Sequence, residues 1–127
     1  MDPVSRVFAV QSPTRRDRRT GRQVQMFDFS DAERFGELII VMDADIKPTS
    51  QVTVERALWD ALESFQEDDY LLLTGNPIIM SLATTVVMEQ TSGHCKFLQW
   101  SGERQAYEVI EYRDFFGPED ESGDGAD

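Results

Sequence analysis

A chain of 127 residues, 40% hydrophobic and 10% aromatic, is long enough to bury one core without staples and too apolar for wholesale disorder. Its 24 acidic and 12 basic residues leave a net charge of −12, a field that repels nucleic-acid phosphates and favours basic partners, while also serving plain solubility. The single cysteine, Cys95, excludes an internal disulfide and fits a reducing compartment.

No basic segment leading into an apolar run opens the sequence, and no stretch approaches the roughly 20 apolar residues of a membrane span. A soluble, cytoplasmic protein without a membrane partner is therefore expected. The charge is unevenly spread. Residues 1–27 hold six arginines against Asp2 and Asp17, for +4, whereas residues 28–127 hold 22 acids and six bases, for −16. The body is anionic, with one basic loop attached.

Val4 to Gln11 alternates loosely around Val7, Phe8 and Val10 and predicts the first strand, with Ser12-Pro13 marking its exit. The segment 14–22 sets Arg15, Arg16, Arg18, Arg19 and Arg22 around Asp17 and turns at Thr20-Gly21. Val24 to Phe29 reads as a returning extended segment, so a hairpin with a long basic tip is expected. The tip has neither interleaved aromatics nor a supporting basic face. It is therefore either a solvated loop or a contact for phosphate or an acidic partner.

Ser30-Asp31-Ala32-Glu33 has capping-box spacing and, with Gly36 close behind, room for one or two turns. Glu37 to Met42 predicts a buried strand. Thr53 is placed to cap a helix over about 54–66, with Val54, Ala57, Leu58, Ala61, Leu62 and Phe65 along one face. Trp59 lies at the edge of that stripe, as a half-buried rim aromatic or an exposed partner anchor. Tyr70 to Leu73 is a short apolar run between acids and Gly75-Asn76-Pro77, the pattern of a covered central strand. Asn76 can cap a second helix, over 77–91, and Pro77 suits its first position. That helix is too apolar for one buried face and predicts burial on several, or an oligomer seam. Lys96 to Trp100 and Tyr107 to Tyr112 predict a closing hairpin around Ser101-Gly102-Glu103-Arg104. Phe115-Phe116 can dock on the body, and the acidic, Gly-rich 117–127 predicts a disordered tail.

The sum is a single α/β domain over 1–116. It carries a mixed sheet of about four to six strands, two main helices and flanking hairpins.

Asp43-Ala44-Asp45 follows a buried strand, where two carboxylates at i and i+2 can hold a divalent ion against a phosphate. Ile39 through Asp45 resembles the Asp-x-Asp segment of nucleotide-sugar glycosyltransferases, over these seven residues alone. Those enzymes use a much longer nucleotide-binding domain and a further acidic residue. Thr74, Gly75 and Asn76 aim backbone N–H groups at the second helix's start, a generic anion site without the glycines and lysine of a phosphate loop. His94 and Cys95 stand side by side and, on an extended segment, point to opposite faces, so they form neither a metal site nor a nucleophile–base pair. No catalytic residue and no cofactor are expected.

The order of segments resembles a group of small uncharacterised proteins of phage and prophage genomes. The residues that carry the resemblance are Ser12-Pro13-Thr14-Arg15-Arg16, Phe27-Asp28, Gly36-Glu37-Leu38, Asp68-Asp69-Tyr70 through Pro77, and Leu98-Gln99-Trp100, spanning roughly 7–112. Asn76 stands where that pattern has Asp, a change that keeps a helix cap and removes a charge. The resemblance implies a phage setting and no mechanism.

Two functions from different classes follow. One is a small acidic phage accessory protein, acting by protein contact on a basic or nucleic-acid-binding host protein, with Arg15, Arg16, Arg18, Arg19 and Trp59 as candidate partner-binding residues. Direct DNA mimicry ranks below this because many acids are scattered or in the tail. The other is a nucleotide or phosphate-ester binder using Thr74, Gly75 and Asn76 with a divalent metal at Asp43 and Asp45. An assembly role would rest on the apolar second helix alone.

Overall fold

The structure, a computed structural model, describes residues 5–12, 14–25 and 29–117. In chain order its strands and helices are β1 (Arg6–Gln11), β2 (Thr14–Arg16), β3 (Gln23–Gln25), a 3-10 helix (Ser30–Phe35), β4 (Glu37–Met42), α1 (Gln51–Leu62), β5 (Tyr70–Leu72), α2 (Pro77–Thr91), β6 (Cys95–Ser101) and β7 (Ala106–Tyr112).

Five strands form one mixed sheet in the order β4-β1-β5-β6-β7. β1 pairs parallel with β4 and β5, and β5 parallel with β6; β7 returns antiparallel on β6. The Tyr70–Leu73 run thus does supply the middle strand. β1 and β5 are near-continuous apolar segments because both faces of the sheet are covered there. Phe8, Val10 and Leu71 point to one face and pack under α1 and α2. Val7, Ala9 and Leu72 point to the other, against Phe29 and the 3-10 helix residue Ala32. The layering follows from winding. The chain moves one way from β1 to β4 and the other way from β4 to β5 and β6, so crossovers of one hand must lie on opposite faces.

The basic loop differs from the expected hairpin. β2 and β3 form a two-stranded ribbon of their own, Thr14 opposite Gln25, instead of extending β1. Its tip is ordered by Asp17, whose carboxylate accepts from Arg19 N at 2.8 Å and whose own N–H donates to Arg22 O at 2.7 Å. Of the returning segment 24–29, residues 26–28 lie outside the described residues, as do 118–127 of the tail.

Two helix boundaries also differ. α1 begins behind Ser50, without a side-chain cap, so Thr53 sits inside the first turn. It ends at Leu62, and Phe65 reaches the core from a turn, its ring centroid 5.3 Å from that of Phe8. The helical period through Phe65 is real, but Arg6 and Asp69 draw the chain off the helix: Arg6 Nη2 donates to Ser64 O at 2.6 Å and Gln66 N to Asp69 Oδ2 at 2.9 Å. Asp69 is buried, and Arg6 meets it through both its backbone N–H and its guanidinium. Nor does Ser30-x-x-Glu33 form a capping box; Phe29 occupies the cap position with no side-chain bond, and the element is 3-10. Asp31 ties this helix to β7, its Oδ2 accepting from Tyr107 N at 2.8 Å.

α2 runs over 77–91 as the sequence predicts. Asn76 Oδ1 accepts from Ile78 N at 2.8 Å and Ile79 N at 3.4 Å, and Gly93 N closes the other end on Met88 O. Ile79, Ala83, Val86 and Val87 are buried, while Ile78 and Leu82 stay exposed. Among the described residues no helix is long and apolar enough to cross a membrane.

Candidate functional site

The direction of winding reverses between β1 and β5. In open α/β sheets ligands bind in the crevice at the carboxyl ends of the strands where that reversal occurs. Here Gln11 at the end of β1, the turn Asp43–Ile46 after β4 and Thr74–Asn76 after β5 meet at that rim. Two of the sequence-predicted sets, Asp43/Asp45 and Thr74–Asn76, are therefore brought to the same edge.

What joins them is Gln11. Its buried side chain donates from Nε2 to Asp43 O at 3.0 Å and Ile46 O at 3.1 Å, and accepts at Oε1 from Asn76 N at 2.8 Å. Thr74 Oγ1 closes the layer below, donating to Gln11 O at 2.8 Å and lying 3.2 Å from Gln11 N. Gly75, at φ +104°, leaves room for this packing, since a Cβ there would lie 2.6 Å from Gln11 Cβ. The three amides most available to an anion are thus engaged internally, Asn76 N by Gln11 and Ile78 N and Ile79 N by the Asn76 side chain.

Asp43 and Asp45 expose their side chains to solvent. Among the described residues no group of three or more His, Cys, Asp or Glu side chains could hold a metal. Any ion at Asp43 and Asp45 would draw its remaining ligands from water or a phosphate.

His94 and Cys95 do diverge. His94 Nε2 lies 2.7 Å from Glu111 Oε2 and Nδ1 lies 3.2 Å from Glu67 Oε1, so both ring nitrogens face carboxylates. The hydrogen bond from His94, with the charges of Arg113, His94 and Lys96 adding to it, holds Glu111 below its ordinary pKa against a raising effect of burial. Cys95 points into the core, where burial pushes its thiol up to about 12.

The candidate contact residues are dispersed. Arg18 and Arg19 are exposed at the ribbon tip, and the side chains of Arg15 and Arg16 lie outside the described residues. Trp59 stands 45% exposed on α1.

A larger surface lies on the helix face of β6 and β7. Phe97 is paired with Ile110 and Cys95 with Tyr112, and alternation along the strands places all four on that face. Cys95 is covered by the core, whereas Tyr112 is 49% exposed. The floor adjoins two hollows, of about 740 and 560 Å³, that share Phe97 and Tyr112. One is bounded by Met80 and opens toward Gly75 and round the rim to Trp100; the other lies between Thr85 of α2 and Phe115-Phe116.

Residues 5–114 match the family described as phage Pam3 gp32-like protein. The chain belongs to that family. Among the described residues the match takes in every strand, both α-helices and the switch-point rim. No curated protein and no solved structure matches the chain.

In this phage Pam3 gp32-like chain the residue that sequence reasoning missed is Gln11. It reads as the polar end of a strand, and nothing local marks it as buried. A faint signal existed in the glycine at position 75, since a glycine beside a helix cap implies close approach by something, without naming what.

Proposed function

We propose that this phage protein acts in the host cytoplasm as an acidic accessory protein, binding a basic or nucleic-acid-binding host protein by surface contact. The observation that carries the reading is the −16 charge of residues 28–127, which steers a cationic partner inward and repels nucleic-acid phosphates. The engagement of the switch-point donors by Gln11 and Asn76 supports it from the other side, since the usual ligand crevice is occupied by the chain's own groups. Tagged protein incubated with bacterial lysate at low and high salt is the test. A stoichiometric basic protein, identified by mass spectrometry and released by salt, is the expected result; a retained partner indifferent to salt, or none at all, overturns the electrostatic reading.

A second reading has its own observation. Asp43 and Asn76 lie at one rim, both bonded to Gln11, at the position where α/β sheets take nucleotides and phosphate esters. Rotation of Gln11 would free Asn76 N for a phosphate, with a divalent ion at Asp43 and Asp45. Thermal denaturation with nucleotide and magnesium tests it, and an unchanged midpoint removes it.

A further inference from the structure

His94 is the chain's only histidine, and the fold sets it at a junction. It lies between the end of α2 and the start of β6, where the backbone is held from both sides. Thr91 Oγ1 accepts from His94 N at 3.2 Å, and the preceding carbonyl, Gly93 O, accepts from Phe115 N at 3.1 Å. The side chain is 16% exposed, so packing aims the ring.

Two carboxylates from different parts of the fold meet that ring. Glu111 Oε2 of β7 lies 2.7 Å from Nε2, and Glu67 Oε1, in the connection from α1 to β5, lies 3.2 Å from Nδ1. An imidazolium carries a proton on both nitrogens, whereas a neutral ring has one donor and one lone pair. The arrangement suits the charged ring, since in the neutral ring one carboxylate faces a lone pair. The surrounding charges agree. Asp68 follows Glu67 and lies 3.9 Å from Lys96 Nζ; Lys96 stands opposite Glu111 in the β6–β7 ladder and over the Tyr70 ring of β5. Arg113 Nη2 lies 3.2 Å from Glu111 Oε2, and α2 contributes the uncharged Thr91. Three carboxylates thus face two fixed cations, and a protonated His94 makes up the difference.

The two carboxylates on the ring are not equally held. Glu111 is 28% exposed and shared with Arg113, while Glu67 is 65% exposed and has no second partner among the described residues. The residues that flank Glu67 and Asp68 are pinned. Gln66 N donates to Asp69 Oδ2 and Asp69 N to Gln66 O, each at 2.9 Å, and Asp69 is bound in turn by Arg6. Glu67 and Asp68 are left as the crest of a tied turn, able to move without carrying the fold with them.

We propose that His94 is a proton-operated latch. With the ring protonated it ties the α1–β5 turn to β7 through Glu67 and Glu111; when Nδ1 gives its proton to solvent, Glu67 is released and the Nε2–H bond to Glu111 remains. Imidazole changes charge between about pH 5 and 8, and carboxylates ionise above about pH 4. The latch is therefore closed in mild acid and opens as pH rises through the imidazole range. Its contribution to stability is present at the acidic end of that range and lost toward the alkaline end. In stronger acid the carboxylates take up protons and the latch is lost again, although Glu111, held below its ordinary pKa by the His94 bond, keeps its charge well into acid. Above the transition this edge of the molecule presents one more unpaired carboxylate than below it. The inference is independent of the basic-partner reading.

The test is nuclear magnetic resonance of the ¹⁵N-labelled full chain between pH 5 and 8. With one histidine, the ring ¹⁵N shifts report its charge and tautomer without ambiguity. Both ring nitrogens are expected to carry protons at the acidic end and Nε2 alone at the other, with the backbone amides of Glu67 and Asp68 shifting in the same transition. Glu67→Gln should move the ring transition to lower pH by about half a unit or more at low salt. Glu33→Gln, which removes an exposed acid from the 3-10 helix, should leave it where it is. Both positions face solvent, so the variants are expected to fold, and the wild-type titration stands without them.

A neutral ring that keeps its proton on Nδ1, or a ring transition that leaves the Glu67 and Asp68 amides unmoved, overturns the proposal. So does a Glu67→Gln transition at the wild-type pH. An equal displacement in Glu33→Gln overturns it in favour of the overall charge of the chain.

Discussion

Replacing Gln11 with glutamate turns the donor end of a buried amide into an acceptor facing two carbonyls, and replacing it with alanine removes the amide altogether. Gln11 is 3% exposed and makes three side-chain hydrogen bonds, to Asp43 O, Ile46 O and Asn76 N. At about 1 kcal/mol net for each bond, Gln11→Ala should lose roughly 2–4 kcal/mol. Gln11→Glu keeps the acceptor for Asn76 N but sets an oxygen against Asp43 O and Ile46 O, and a buried charge without a cation costs about 3–5 kcal/mol. At pH 7 the order of stability is therefore wild type, then Ala, then Glu. The Glu variant also carries a pH signature. Burial raises its folded-state pKa above the unfolded value of about 4.3, so its deficit is smallest below that value, where the protonated acid can donate to one carbonyl. The deficit grows as pH rises through the folded-state pKa. Urea unfolding followed by fluorescence of Trp59 and Trp100, compared with wild type at each pH, measures both effects. A Glu variant as stable as the Ala variant at pH 7, or one whose deficit does not change with pH, would refute the assignment of Gln11 as the bridge.

Gly75→Ala forces a side chain into a positive-φ position against Gln11 Cβ and should cost about 2–4 kcal/mol from strain and overpacking together, read from the same urea midpoints; a loss below about 0.5 kcal/mol would contradict the geometry. Asp31 is held below its ordinary pKa chiefly by the Tyr107 backbone N–H, with Arg34 adding to it against a raising effect of burial. Its stabilisation is complete above the unfolded carboxylate value and lost as pH falls through the lower folded value, so the protection of the Tyr107 amide, its exchange rate relative to the intrinsic rate at the same pH, should fall in that acidic window in wild type and be reduced at every pH in Asp31→Ala. Cys95, with its thiol pushed up to about 12 by burial, should resist aromatic disulfide reagents at pH 8 in the folded protein and react fully in urea.

Much of the fold was legible because its elements announce themselves over a few residues. Glu37 to Met42, the Asn76-Pro77 start of α2 and the β6–β7 hairpin depend on local apolar runs, a capping side chain and a turn, and each stands where the sequence places it. The capping box at Ser30 did not form because the 3-10 helix starts one residue earlier, behind Phe29, and what fixes it is a contact 76 residues away, Tyr107 N on Asp31 Oδ2. Likewise α1 stopped short of Phe65 because Arg6 and Asp69, brought beside it by the sheet, take the backbone groups of Ser64 and Gln66.

The candidate sites divide along the same line. Asp43/Asp45 and Thr74–Asn76 could be singled out as residue types at strand ends, but their meeting through Gln11 depends on β1 lying between β4 and β5. The partial cover of the helix face of β6 and β7, with Cys95 buried and Tyr112 half exposed, depends on which side of the sheet α2 occupies. The sequence alone determined most of the elements, the charge imbalance and the Asn76 cap of α2, because those arise from neighbours along the chain. Strand order, the burial of Gln11 and the contacts of Asp69 and Asp31 were decided by tertiary structure, because each is set by groups that come together only once the chain has reversed direction across the sheet.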